Sequence, residues 1–127
     1  MTQSELQLPR LWFSLAFALA LVVGVFSLIP GPDLGEGDKL THFLTYAILS
    51  AGFSLIIEAR KSLWLILFGL ISYGLLLEWL QGLTGYRMKD MADALANSLG
   101  VISGLVFYFS PLRGILRRLD AWLLARL

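Results

Sequence analysis

The sequence contains no cysteine, which excludes disulfide bonds, thiol nucleophiles and cysteine metal sites. It contains a single histidine, His42, so a zinc site would need mostly carboxylate ligands, and we predict none. A serine triad is not predicted either, because Ser50 lies about 12 Å from His42 along a helix. We therefore expect neither a bound metal nor another cofactor.

Charged side chains are scarce as well. They make up 15% of the 127 residues, compared with roughly 25% in a typical soluble domain. Hydrophobic residues make up 57%, and the mean hydropathy is +0.76. The formal net charge is only +1, so bulk charge predicts no nucleic-acid partner. This composition indicates a protein embedded in a membrane.

Four apolar stretches are each long enough to cross the roughly 30 Å hydrocarbon core of a bilayer as a helix. They cover residues 11–29, 40–57, 63–80 and 91–109. We interpret the first as a retained span, because it is longer than the apolar core of a signal peptide and no small-x-small cleavage site precedes Pro30. The chain is thus predicted to be one all-α membrane domain over residues 1–127, a bundle of four transmembrane helices.

The segment 112–127 is predicted to form a C-terminal amphipathic helix that lies in the membrane surface. Its apolar residues recur at helical spacing, with charged residues interleaved between them. Those charged residues include Arg113, Arg117, Arg118 and Asp120. The alternative is a solvated basic tail.

Basic residues divide unequally between the two sides of a four-span topology. Seven fall on the side of the termini and three on the other side. Cytoplasmic segments are enriched in lysine and arginine, so both termini are predicted to be cytoplasmic. The start of the second helix, the end of the third and the start of the fourth then face the extracytoplasmic side.

Polar side chains are concentrated at this extracytoplasmic end. At the start of the second helix they are spaced three and four residues apart, and the same spacing recurs in the fourth helix, so each set shares one helix face. The two sets are Lys39, His42 and Tyr46, and Asp90, Asp93 and Asn97. Ionisable groups inside a membrane usually serve function, so these faces predict a ligand-binding or catalytic site.

Glu78 and Gln81 share a face at the end of the third helix. The helix dipole disfavours an anion at a helix C-terminus, so we expect a cation beside Glu78, either Arg87 or Lys39. A purely structural ion-pair network joining the second, third and fourth helices is the alternative to a site.

Two aspartates and two glycines also have structural interpretations. Asp38 and Asp90 lie at helix starts, where a carboxylate caps backbone N–H groups. Gly100 and Gly104 form a small-xxx-small pair in the fourth helix. This pair predicts close helix packing, either within the fold or in a homo-oligomer.

Three motifs taken together resemble the VanZ-like family of small bacterial membrane proteins. They are D-K-x-x-H-F-x-x-Y at 38–46, E-x-x-Q at 78–81 and R-x-x-D-x-x-D-x-x-x-N-x-x-G at 87–100. Founding members of that family are linked to resistance against teicoplanin, a lipid-tailed glycopeptide that acts at the outer membrane surface. The resemblance implies a place in the bacterial inner membrane and a role in the cell envelope.

The function predicted from these observations is the binding of an amphiphile in an outward-facing polar pocket at headgroup level. The ligand would be a lipid-linked envelope precursor, a lipid headgroup or a lipidated glycopeptide. Lys39 and Arg87 would hold its phosphate or carboxylate groups. If the pocket is catalytic, His42 and Asp93 would be the acid–base pair.

The other predicted ligand-binding residues would position these groups or supply hydrogen bonds. They are Asp38, Tyr46, Glu78, Gln81, Asp90 and Asn97. The alternative function is that of a non-catalytic interaction or scaffold protein, in which the polar cluster is a structural interhelical network. Transport is a third class, and four short helices would need to oligomerise to form a pore.

Overall fold

The computed structural model describes residues 5–29, 37–84 and 91–127. Within these ranges the chain is helical and contains no strand, which confirms the predicted all-α class. The α-helices are α1 (Pro9–Leu28), α2 (Gly37–Ile56), α3 (Leu63–Thr84), α4 (Met91–Leu105) and α5 (Leu112–Arg126). Two 3-10 turns, Arg60–Ser62 and Val106–Phe109, adjoin α3 and α4.

Four helices are long and apolar enough to cross a membrane. They are Pro9–Leu28, Lys39–Ile56, Arg60–Leu83 and Met91–Phe109, and they agree with the predicted spans to within three residues. The third helix departs furthest from prediction. It continues to Thr84, so Gln81 belongs to α3 and not to the loop after it. The extra turn forms because Leu77 and Gln81, four residues apart, are both buried on the same inward face.

Helix α1 lies at the edge of the bundle and buries only Ala20 and Gly24. Its large side chains point outward, and Phe17, for example, is 63% exposed. Tyr73 of α3 holds the helix in place, because its hydroxyl donates to the Ala20 carbonyl oxygen at 2.5 Å, beside Gly24. Such a surface suits a helix that faces hydrocarbon.

Helices α2 and α4 form the most extensive helix pair. Lys39 contacts Asp93, His42 contacts Asn97 one turn further on, and the Ser50 hydroxyl donates to the Val101 carbonyl oxygen at 2.6 Å. Residue numbers rise together along both helices, so the two helices run parallel. The polar residues therefore meet at one end of this pair, and apolar and small residues fill the rest.

Two glycines allow α4 to approach α2 closely. A Cβ atom on Gly100 would collide with the carbonyl oxygen of Phe43. A Cβ atom on Gly104 would lie 2.5 Å from the carbonyl oxygen of Ala47 and 2.7 Å from the Ala51 nitrogen. The predicted close packing is thus found within the chain, as in other small-xxx-small pairs. A homo-oligomer through the same glycines stays a prediction.

Helix α5 places its polar face against the bundle and its apolar face outward. Arg113, Arg117 and Asp120 are buried, whereas Ile115 and Trp122 are more than half exposed. This burial excludes the alternative of a solvated tail. An amphipathic helix whose apolar residues point away from the protein has the orientation needed to lie in a membrane surface.

Candidate functional site

Most of the polar residues predicted from the sequence meet where α2 begins, α3 ends and α4 begins. We call this the Lys39 end of the bundle. The structure describes seven of them: Lys39, His42, Tyr46, Glu78, Gln81, Asp93 and Asn97. Arg87, Asp90 and the side chain of Asp38 lie outside the described residues. The seven side chains come from three helices, as the spacing of the motifs predicts.

The centre of the cluster is an ion pair between α2 and α4. The Lys39 ammonium nitrogen lies 2.5 Å from Asp93 Oδ1. Asp93 is in the first turn of α4, where the helix dipole stabilises an anion. The Lys39 side chain is 41% exposed and that of Asp93 only 12%. The Lys39 side chain is therefore the more accessible member of the ion pair, and the Asp93 carboxylate the more enclosed one.

His42 lies directly inside this pair, one turn further along α2. Its Nδ1 is 2.9 Å from Asn97 Oδ1, and its Nε2 is 3.6 Å from Asp93 Oδ2. The direction of the His42–Asn97 hydrogen bond depends on the tautomer of the imidazole. The Asp93 carboxylate thus faces the second ring nitrogen of His42. This geometry suits a histidine that exchanges a proton with a bound group.

Tyr46 and Asn97 close the inner side of the cluster, and both are buried. Helix α3 crosses directly against them at Gly74. A Cβ atom on Gly74 would lie 3.3 Å from Asn97 Nδ2 and 3.3 Å from the Tyr46 ring. Helices α2, α3 and α4 are thus in contact on the inner side of the cluster.

Glu78 and Gln81 lie on the inward face of α3 and are both buried. The Gln81 amide donates to the Ser27 carbonyl oxygen at 2.7 Å, near the end of α1. The last carbonyls of a helix lack partners within the helix. This bond supplies a donor to one of those carbonyls in α1 and links α1 to α3. Of the cations predicted beside Glu78, Lys39 lies against Asp93, and Arg87 is outside the described residues.

A second polar cluster, which the sequence did not predict, lies at the opposite end of the bundle. We call this the Glu58 end. Asp120 of α5 accepts hydrogen bonds from the backbone nitrogens of Gln7 (2.7 Å) and Leu8 (3.0 Å) and from the Trp12 indole (2.8 Å). Leu8 is the residue that caps α1. A carboxylate distant in the sequence therefore supplies the acceptors that the start of α1 needs.

Two arginines of α5 donate hydrogen bonds to the carbonyl oxygens at the end of α2. Arg113 donates to the carbonyl oxygens of Ser54 (3.1 Å) and Ile57 (2.7 Å). Arg117 donates to the carbonyl oxygen of Leu55 (2.5 Å) and to Glu58 Oε1 (3.0 Å). Cations are favoured at helix C-termini. Residues 113, 117 and 120 share one helix face, and this spacing was the signal from which an inward polar face could have been predicted.

Asp120 has an altered acidity that follows from these contacts. Burial alone would raise the pKa of Asp120, but hydrogen bonds from Gln7, Trp12 and Leu8 and the charge of Arg117 together lower it below its ordinary value. A carboxyl whose pKa is lower in the folded than in the unfolded state stabilises the fold above its ordinary pKa. That stabilisation is lost as the pH falls through the folded pKa.

We therefore expect Asp120→Asn to lower the free energy of unfolding by about 1–3 kcal/mol at neutral pH. The amide NH2 of asparagine would face N–H groups that need an acceptor. The difference in thermal unfolding between wild type and variant should stay constant from pH 8 to 5. It should begin to narrow below about pH 4, where the carboxyl becomes protonated in the unfolded state, and should narrow further as the pH falls through the lower pKa of the folded state. Circular dichroism of both proteins in a non-ionic detergent would measure this difference in thermal unfolding. A difference that persists unchanged in acid would show that the charge of Asp120 is not what stabilises the fold.

Comparison with known proteins finds no matching family model, no matching curated protein and no matching solved structure. Within residues 5–29, 37–84 and 91–127 there is also no group of three or more side chains placed to hold a metal ion. The fold and the cluster themselves define a class: a small helical protein with four helices able to cross a membrane and a polar cluster at one end of the bundle.

Proposed function

We propose that this is a multi-pass protein of the bacterial inner membrane that binds the anionic headgroup of an envelope amphiphile at its Lys39 end. The ligand class is a lipid-linked envelope precursor, a phospholipid headgroup or a lipidated glycopeptide such as teicoplanin. The observation that carries this proposal is the partly exposed Lys39 side chain, paired with an enclosed carboxylate beside His42.

Chemical reasoning connects this geometry to an anionic headgroup. A lysine is a compact point charge that binds phosphate. Asp93 fixes its position, and His42 next to it supplies a donor when protonated. Residues of all three motifs that resemble the VanZ-like family lie on the helices that meet here. If a reaction occurs, His42 and Asp93 are the pair that would transfer a proton.

The proposed sidedness rests on the exposed basic residues of the Glu58 end. They are Arg10, Arg60, Lys61, Arg118 and Arg126. Basic residues favour the cytoplasmic side, so both termini would be cytoplasmic and the Lys39 end would face out of the cell. Ligands that act at the outer membrane surface would reach it there.

One observation favours a second candidate, a non-catalytic scaffold. The Lys39–Asp93 and His42–Asn97 contacts both join α2 to α4, and the Gln81–Ser27 bond joins α3 to α1. Each of these contacts is interhelical, so the cluster would also serve as a purely structural network. The protein would then act through a partner docked elsewhere.

A set of three variants separates the two candidates: Lys39→Gln, Asp93→Asn and the double variant. Lys39→Gln removes the cation from a mostly enclosed carboxylate and should destabilise the fold, and adding Asp93→Asn should restore stability. Binding is read from the thermal stabilisation by a polyprenyl phosphate, with the uncharged polyprenol as the matched ligand. Arg118→Gln, which removes an exposed charge at the Glu58 end, is the control variant.

If the site binds headgroups, polyprenyl phosphate should stabilise the wild type and the Arg118→Gln control, and polyprenol should stabilise neither. Lys39→Gln loses this stabilisation, and the double variant does not regain it although its fold is restored. Equal effects of both ligands on every variant would overturn the proposal and favour the scaffold.

A further inference from the structure

A groove of about 500 Å³ runs along the outside of the bundle at the Glu58 end. One wall is the start of α3, with Leu63, Trp64 and Leu67, and the other is Leu105 and Phe109 at the end of α4 and its 3-10 turn. All five residues lie within spanning segments. The walls of the groove therefore face hydrocarbon, not water.

The mouth of this groove is basic. Arg60 and Lys61 line it, and both are exposed. The Arg60 guanidinium reaches across to the other wall and lies 5.6 Å from the centroid of the Phe109 ring. Within the described part of the chain, neither residue forms an ion pair. Two cations thus stand at the interfacial end of an apolar groove.

The neighbouring carboxylate does not neutralise these cations, because it is engaged elsewhere. Glu58 lies 3.0 Å from Arg117 and 3.8 Å from Arg113 of α5. Those two arginines are buried and also bind the last carbonyls of α2. Of the basic residues near Glu58, Arg113 and Arg117 thus complete the fold, whereas Arg60 and Lys61 remain available to an anion.

A second groove at the same end provides a contrast. It has a volume of about 420 Å³, lies between α1 and α3, and is lined by residues such as Phe13, Phe53 and Leu70, with no charged side chain. Any hydrocarbon chain could rest there. Of these two grooves, the one beside Arg60 and Lys61 combines apolar walls with positive charge at its end.

We infer that the groove beside Arg60 and Lys61 is a binding site for an anionic phospholipid. Its phosphate would lie between the two cations, and an acyl chain would follow Leu63, Leu67 and Leu105 into the membrane. Trp64, 62% exposed at the rim, has the interfacial position that indoles favour. Basic recesses between transmembrane helices bind anionic lipid headgroups in this manner. The site is at the opposite end from the Lys39 cluster and does not depend on its proposed function.

Quenching of Trp64 tests this inference in vesicles that carry brominated phosphatidylglycerol or phosphatidylcholine with identical chains. The Trp64 signal is the difference between the full protein and Trp64→Phe. Each cation near the membrane surface raises the affinity for an anionic lipid about fivefold. With two cations we expect a preference of about twenty-fivefold for phosphatidylglycerol over phosphatidylcholine. Arg60→Gln with Lys61→Gln should abolish the preference, whereas Arg60→Lys with Lys61→Arg should retain it.

The matched control is Arg10→Gln with Arg118→Gln, which removes the same charge from exposed positions at the same end. It should keep the preference. If this control loses the preference to the same extent, the attraction belongs to the whole basic surface and the groove is not a site. Equal quenching by both lipids in the wild type would also overturn the inference.

Discussion

Replacing Gly100 with leucine is expected to abolish the folded protein. The position faces the Phe43 carbonyl oxygen and the Ala47 nitrogen, which belong to the backbone of α2 and cannot rotate away. Overpacking a core with flexible neighbours costs about 1–3 kcal/mol, and a collision with backbone should exceed that range. The yield of monodisperse protein in mild detergent and its thermal unfolding would measure the loss.

Alanine substitutions provide the matched comparison for this prediction. Gly100→Ala adds one methyl group to the α2–α4 contact and should still be clearly destabilising. Gly52→Ala adds the same group in α2 where nothing lies within 4 Å, so it should be neutral or stabilising by up to about 1 kcal/mol, since alanine favours helix. Equal stability of the two alanine variants would contradict the close approach of the helices.

Arg117→Ala is the second substitution with a large expected effect, a loss of about 3 kcal/mol. Arg117 is 4% exposed and joins α5 to the end of α2 through Leu55 and Glu58. Its removal leaves the partly buried Leu55 carbonyl oxygen without its donor and leaves Glu58 with only its longer contact to Arg113, at 3.8 Å. The estimate lies at the lower end of values for buried ion pairs, because Glu58 is about half exposed.

Arg118→Ala is the control for this substitution, because Arg118 is adjacent in sequence, has the same charge and is exposed. It should change stability by no more than about 0.5 kcal/mol. Limited proteolysis would report whether α5 detaches in Arg117→Ala, since a released helix is cut first. Similar behaviour of the two variants would mean that α5 is held only by its apolar residues and not by its inward polar face.

The spans were predictable because each is a continuous apolar run whose length matches a bilayer, and neither property depends on the neighbours of the helix. The convergence of the polar residues was predictable for a related reason. Spacings of three and four place Lys39 with His42, and Asp93 with Asn97, on single faces that hydrocarbon does not solvate. The structure brings these two faces together.

What the sequence could not provide is the pairing between elements. That Lys39 meets Asp93, or that Gln81 binds the end of α1, depends on how the helices are aligned in three dimensions. Helix α5 shows the same limit. Its amphipathic pattern identifies two faces, but the pattern does not say that the polar one faces inward, because the groups it satisfies belong to the ends of α1 and α2.

The most direct test of the headgroup site is native mass spectrometry of the protein released from mild detergent, with wild type beside the double variant Lys39→Gln/Asp93→Asn, whose fold is expected to be restored. Headgroup binding at the Lys39 end predicts that the wild type retains a discrete lipid with an anionic headgroup and that the variant, equally folded, loses it. The same heterogeneous set of lipids on both proteins would contradict a headgroup site there and leave the cluster as a structural link between helices.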